Sequence, residues 1–253
     1  SATHNAAAIG MSYLFVVLGI IWIGITVVLI RVYRGALSDA LVLRRLGDVP
    51  RAMADRSSIA LLSGYLHDPY PGAAIYALQS LEGWEQPLGR EALQTLIAHP
   101  ASEVRREALA YIERHGVSEM ATEIKARLDH ETSATVREAG LRALAASTAD
   151  AVADLSAALE RTEPADLRGA LVGLLRHGGI DGVLLAGQTF NRLLTSTCAD
   201  DRRLAAQVLG EVGVTHFYQP LLTLLQDRAP QVRQAALLSS GNVKHPALWP
   251  RVI

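Results

Sequence analysis

The sequence predicts an all-α chain, with an N-terminal transmembrane helix followed by a superhelix of stacked helical hairpins. Two observations point there. Residues 12–30 (SYLFVVLGIIWIGITVVLI) run for nineteen positions without a charge, and the chain beyond residue 55 repeats a two-helix pattern about every thirty residues. A third supports them: no stretch alternates apolar and polar residues with period two, so no sheet is expected.

At 1.5 Å rise per residue the charge-free run covers about 28 Å, close to the roughly 30 Å hydrocarbon core of a bilayer. Its only polar side chain after Ser12 is Thr26, whereas a buried helix of a globular domain normally keeps one polar face. Tyr13 and Tyr33 fall near the two expected interfaces, where amphipathic rings prefer to sit. Arg31, Arg34, Arg44, Arg45 and Arg51 follow the run and no Lys or Arg precedes it, so the positive-inside rule puts the C-terminal side in the cytoplasm. A secretory signal peptide fits less well, because there is no basic n-region and no small-x-small cleavage site. The expected organisation is an extracytoplasmic flank at 1–10, a membrane span at 11–31, a lead-in helix and linker at 32–54, and a solenoid of about six repeats at 55–253, ending inside a further repeat. Tyr33, Leu37 and Leu41 share one face of the lead-in.

All 24 basic and 25 acidic residues lie after residue 30, so that part is close to neutral. A nucleic-acid binder would show a basic excess, and no nucleic-acid partner is expected. The single cysteine, Cys198, excludes an internal disulfide framework and suits a reducing cytoplasm.

Second helices align as GAAIYALQSLEG (72–83), EVRREALAYIERHG (103–116), TVREAGLRALAAS (135–147), DLRGALVGLLRHGG (166–179), DRRLAAQVLGEVG (201–213) and QVRQAALLSSGNV (231–243). A shared arginine falls at Arg105, Arg137, Arg168, Arg203 and Arg233, with Ala74 as its counterpart in the first unit. Small residues follow at Ala77, Ala108, Gly140, Ala206 and Ala236, where they let neighbouring helices approach to about 8–10 Å. Partner helices are expected at 57–66, 86–98, 117–129, 150–161, 181–195 and 216–227, separated by turns holding Pro, Asp or Gly. One hairpin cannot bury its own apolar face, so stability comes from stacking.

The xVRxxAL opening of the second helices resembles the short form of the HEAT family over residues 55–253. That resemblance implies an α-α superhelix that binds other proteins. The five arginines are expected to bond acids or carbonyls at a neighbouring unit's turn, near Asp68, Asp129, Asp201 and Asp227, rather than to form an anion stripe. His67, His99 and His130 recur at turns, but groups one repeat apart cannot share a metal ion about 2 Å from each ligand. Some HEAT-like hydroxylases hold a di-iron centre on paired His-Glu steps; here only His130-Glu131 matches, so no metal and no cofactor are expected. No GxSxG, Walker A, GxGxxG or CxxC motif is present, and the chain is expected to be non-catalytic. Asp200-Asp201 and the run Glu113, Arg114, His115 read as solvated helix ends.

Outward residues of the second helices, Arg106, Glu107, Glu138, Arg142, Gln207 and Gln234, mix both signs, which suits a protein partner on the concave face. The order of parts, an apolar span, an Arg-flanked exit and then HEAT repeats, also resembles the C-terminal region of bacterial relatives of the ATP/ADP translocase family. That resemblance implies a regulatory or docking role on a polytopic transporter at the inner membrane, and carries over no substrate-contacting residue. The alternative is a free-standing single-span scaffold recruiting a cytoplasmic partner.

Overall fold

The structure, a computed structural model, describes residues 56–251 apart from 149 and 162. The expected membrane span at 11–31, its flank and the lead-in segment lie outside the described residues. Among the described residues no helix is long and apolar enough to cross a membrane. The chain divides into two compact units, residues 1–61 and 62–253. Only 56–61 of the first are described, as the opening of α1 (Arg56–Tyr65).

The described residues form α-helices and short 3-10 turns, with no strand among them. Helix α1 is followed by α2 (Pro71–Gly83), α3 (Arg90–Ile97) by α4 (Ser102–His115), and α5 (Ala121–Leu128) by α6 (Ala134–Ser147). Three further hairpins pair α7 (Ala151–Leu159) with α8 (Pro164–His177), α9 (Gly179–Leu194) with α10 (Ala199–Val212), and α11 (Tyr218–Leu224) with α12 (Pro230–Val243). These bounds follow the alternation expected from the repeats to within a few residues. From α2 onward each even-numbered helix packs on the next, making one layer of the solenoid.

Apolar residues at helical spacing build that layer. In α4, Val104, Ala108, Leu109, Tyr111 and Ile112 are all buried; in α6, Val136, Leu141 and Leu144 take over the same stripe. Burying one such leucine contributes about 1.5–3 kcal/mol. The seventh residue of every even helix is Ala or Gly: Ala77, Ala108, Gly140, Ala170, Ala205 and Ala236. Ala205 therefore replaces the expected Ala206 in this register, although both are buried.

None of the even helices starts with a side-chain cap at its first non-helical residue. The turn is held instead by the residue two positions earlier, whose side chain accepts that residue's amide N–H. Asp68 accepts from Tyr70 (2.8 Å), His99 Nδ1 from Ala101 (3.0 Å), Glu131 from Ser133 (3.0 Å), Ser196 from Cys198 (3.1 Å) and Asp227 from Ala229 (2.8 Å). His67 and His130 sit one position before these acceptors, so the three histidines do not form one ladder. Proline at the first helical position of α2, α8 and α12 gives up an amide that would lack an intrahelical partner anyway.

An arginine at the fourth residue of α4, α6, α10 and α12 completes the device. Arg105 donates to the carbonyls of His99 (2.9 Å) and Pro100 (2.8 Å), and grips Glu131 of the next turn with two bonds of 2.8 Å. Arg202 does the same with Ser196, Thr197 and Asp227. Arg137 reaches Thr132 and Asp166, and Arg233 reaches the carbonyls of Asp227 and Arg228. Two of the expected repeat arginines are therefore corrected. The equivalent of Arg105 is Arg202, while Arg203 is exposed and pairs with Asp200 at 3.1 Å; in α8 the position is Leu167, and Arg168 points elsewhere. Of the expected turn acids only Asp227 receives an arginine of this ladder, Glu131 taking the place expected for Asp129.

Glu131 is lowered from the ordinary carboxylate range to about 2. Burial by itself would raise it, but the Arg105 bonds, the Ser133 amide and the charge of Arg127 outweigh that cost. Where the preceding unit lacks the arginine, the acceptor is not a carboxylate: Ala74 is matched by His99, and Leu167 by Ser196. A carboxylate buried there without its partner would carry a large desolvation penalty.

Candidate functional site

The even helices present a common face through their fifth, ninth and thirteenth residues. On it lie Arg106, Glu138, Arg168, Arg203 and Gln234 at the fifth position, and Arg142, Gln207 and Leu238 at the ninth. Arg114, Arg176, Glu211 and Asn242 occupy the thirteenth.

Arg142 of α6 is the hub. Its guanidinium lies 3.2 Å from Glu113 of α4, 3.1 Å from Glu138 on its own helix and 2.7 Å from Glu211 of α10. Arg168 of α8 pairs with Glu138 and lies 3.5 Å from Glu211, and Arg176 binds Glu113 at 2.9 Å and the backbone carbonyl of Glu211. Helices α6 and α10 are separated by the whole of α8, a spacing of about 16–20 Å at ordinary helix distances. Direct Arg142–Glu211 bonding across α8 fits a stack that curves toward this face, the one expected to be concave.

Three glutamates and three arginines balance in charge, but not in comfort. Glu211 is raised above the ordinary carboxylate value, chiefly by burial, with Glu138 adding to the effect and Arg168 and Arg142 opposing it. Glu113 is lowered, because His177, Arg142 and Arg176 outweigh its burial. Nε of Arg142 and of Arg168 are buried without a hydrogen bond of good geometry, each guanidinium hydrogen-bonding glutamates through its other nitrogens instead.

The expected contact residues divide into two groups. Arg106 and Gln234 are exposed and available. Glu138 is only 5% exposed, and Arg142 and Gln207 are drawn inward, Gln207 receiving Arg168 at 3.5 Å; Glu107 is half-buried and pairs with Arg114. Glu138 and Arg142 thus hold the face together rather than offer themselves to a partner. The reading of Glu113 as a solvated helix end is also corrected, since its side chain is drawn into the network, whereas Arg114 is exposed as expected and pairs with Glu82 at 2.9 Å.

Sequence reasoning missed Arg176, Glu211 and Lys244. Recurrence of charged or amide residues at the thirteenth helical position was the available signal for Arg176 and Glu211, whereas Lys244 follows the end of α12. Beside them an open cavity of about 850 Å³ lies on the concave face, lined by residues that include Ala110, His177, Gly210 and Asn242. Among the described residues no group of three or more His, Cys, Asp or Glu side chains converges as a metal site.

No curated protein matches the chain. The solved structure of an engineered protein from the Northeast Structural Genomics Consortium aligns with 74% of this chain and 96% of its own length, at 21% identity and a TM-score of 0.38. Residues 59–145, which comprise the end of the α1 region through α6, match the family described as HEAT repeats.

Proposed function

We propose that this chain is a non-catalytic helical-repeat interaction domain whose concave face docks a protein partner. The observation that carries the reading is the division of labour on that face. A charge-balanced network fixes its curvature, while Arg106, Arg203 and Gln234 stay exposed around it together with Leu238, which is 70% exposed. Exposed polar groups flanking an accessible leucine on a rigid frame resemble the mixed chemistry of protein interfaces. The HEAT-repeat match over residues 59–145 supports the same class.

The finer reading adds the membrane. The charge-free run at 12–30 would anchor the solenoid at the cytoplasmic side of an inner membrane, as the cytosolic part of a polytopic nucleotide-transporter-like protein. The alternative is a free-standing single-span scaffold. Intact-mass analysis of the native gene product extracted from membranes separates the two, because only the transporter requires a product several times larger.

Docking is tested by chemical cross-linking and co-purification of the intact chain with its partner. Reversing Arg106 and Arg203 to Glu and Gln234 to Lys should reduce capture with no change in melting temperature, since none of the three supports the fold. Equal capture by this variant would overturn the concave-face reading.

A further inference from the structure

The concave cavity has a sign. Arg114, Arg142, Arg176 and Lys244 line it against Glu113 and Glu211, a formal excess of two positive charges in a chain whose net charge is −1. Exposure sharpens the asymmetry. The side chains of Arg114 and Arg176 stay 45% and 41% exposed although Arg114 pairs with Glu82 and Glu107 and Arg176 with Glu113, whereas the side chains of Glu113 and Glu211 are 9% and 30% exposed, Glu113 held by Arg142 and Arg176 and Glu211 by Arg142. Solvent and any ligand therefore meet the cations first.

Lys244 supplies a second, independent observation. It closes α12 in the left-handed conformation at φ +51°, at the position where α4 ends on Gly116 (φ +58°) and α10 on Gly213 (φ +67°). A residue with a Cβ is disfavoured there, and glycine is the ordinary solution. Lys244 is exposed, lines the cavity and has no ion-pair partner among the described residues. Such conformations cluster at functional sites, and Glu85 (φ +58°) is the other non-glycine residue that adopts one among the described residues.

We propose that the cavity between Arg114, Arg176, Asn242 and Lys244 receives acidic side chains from an extended segment of the docked protein. The cations arrive from α4, α8 and the end of α12, so they can engage carboxylates spaced along a peptide, with the Asn242 amide as a further donor. This inference rests on the docking reading and names the chemistry of its partner.

The test is fluorescence anisotropy of labelled hexaglutamate with the full chain in a non-ionic detergent, with hexalysine as control. Hexaglutamate should bind, hexalysine should not, and binding should weaken about ten-fold or more between about 0.05 and 0.5 M NaCl. Lys244→Gly should weaken binding about three-fold or more while the melting temperature holds or rises, because glycine adopts that φ freely. Arg114→Gln should weaken it further. Equal binding of the two peptides, or unchanged affinity in Lys244→Gly, would overturn the proposal. Absence of hexaglutamate binding, with partner capture still lost in the Arg106, Arg203 and Gln234 variant, would remove this inference and leave the docking reading standing; unchanged capture would remove the docking reading itself.

Discussion

Two neighbouring joints of the solenoid are built on opposite principles. Between α6 and α8 the helices touch backbone to backbone. Gly169 and Gly173 lie one turn apart on α8; a Cβ at 169 would come within 2.7 Å of the Glu138 carbonyl oxygen and 2.9 Å of its Cα, and one at 173 within 3.0 Å of the Ala145 Cβ. Between α8 and α10 the packing is thinner. Arg168 and Arg176 reach across to Gln207 and Glu211, and an open cleft of about 350 Å³ lies between the N-terminal halves, lined by Leu167 of α8 and by Asp200, Arg203 and Leu204 of α10. Beyond it the apolar core forms a cluster of its own, around Ala206, Leu209, Leu221, Leu224, Val232 and Ala236. Dispersion and backbone proximity hold the first joint, backed by the Arg137–Asp166 and Arg168–Glu138 pairs, whereas polar and charged side chains do most of the bridging at the second. The first should respond less to salt and pH than the second.

The arginine ladder breaks at the same joint, since α8 carries Leu167 where α4 and α10 carry buried arginines. The largest effect is expected from the intact ladder. Arg105→Ala leaves the buried Glu131 with only Arg127 and the Ser133 amide and should cost about 2–4 kcal/mol, read from urea midpoints; a cost below about 1 kcal/mol would mean the ladder is decoration. Next comes the dry joint. Gly169→Ala should cost about 1–3 kcal/mol by overpacking against the backbone of α6, while Gly187→Ala, with open space around its Cβ, should be neutral or stabilising by about 0.5–1 kcal/mol. If the two alanine variants unfold alike, the close approach of α6 and α8 is not a stability element.

Two carboxylates should then titrate with opposite sign. Glu131 is lowered to about 2, so its contribution is present above its ordinary value of 4.5 and is lost as pH falls from 4.5 toward 2. Glu131→Gln should flatten that part of the acid unfolding curve. Glu211 is raised, so its contribution is complete below 4.5 and is lost as pH rises through its folded value. Glu211→Gln should consequently gain on the wild type as pH rises, and a constant difference across that range would contradict the assignment. The smallest effect is salt. Raising NaCl from about 0.05 to 0.5 M should loosen the α8/α10 joint by about 0.2–1 kcal/mol, seen as faster amide exchange in α10 relative to α6; equal change in both would erase the contrast.

Much of this was legible in the chain. Apolar spacing and the Pro, Asp and Gly turns located every described helix, and the VRxxAL openings located the ladder. Its register slipped where the letters were ambiguous: Arg202 and Arg203 are adjacent, and only their contacts separate the buried arginine from the surface one. Arg168 looked like a ladder member because an arginine stands one place from the expected position. In three dimensions that one place turns the side chain by 100°, away from the turn and onto the concave face.

What the sequence determined by itself is local: which segments are helical, where they stop, and which stripe of each is apolar, because these follow from the period of the helix and from backbone chemistry within a few residues. Tertiary structure alone decided that Arg142 meets Glu211 across 69 positions of chain, that Glu138 is buried rather than presented, and that Lys244 joins Arg114 and Arg176 around one cavity. Those pairings depend on how tightly each helix seats against the next, on glycines at one joint and ion pairs at another, and the curvature that results is a sum over the stack that no single repeat contains.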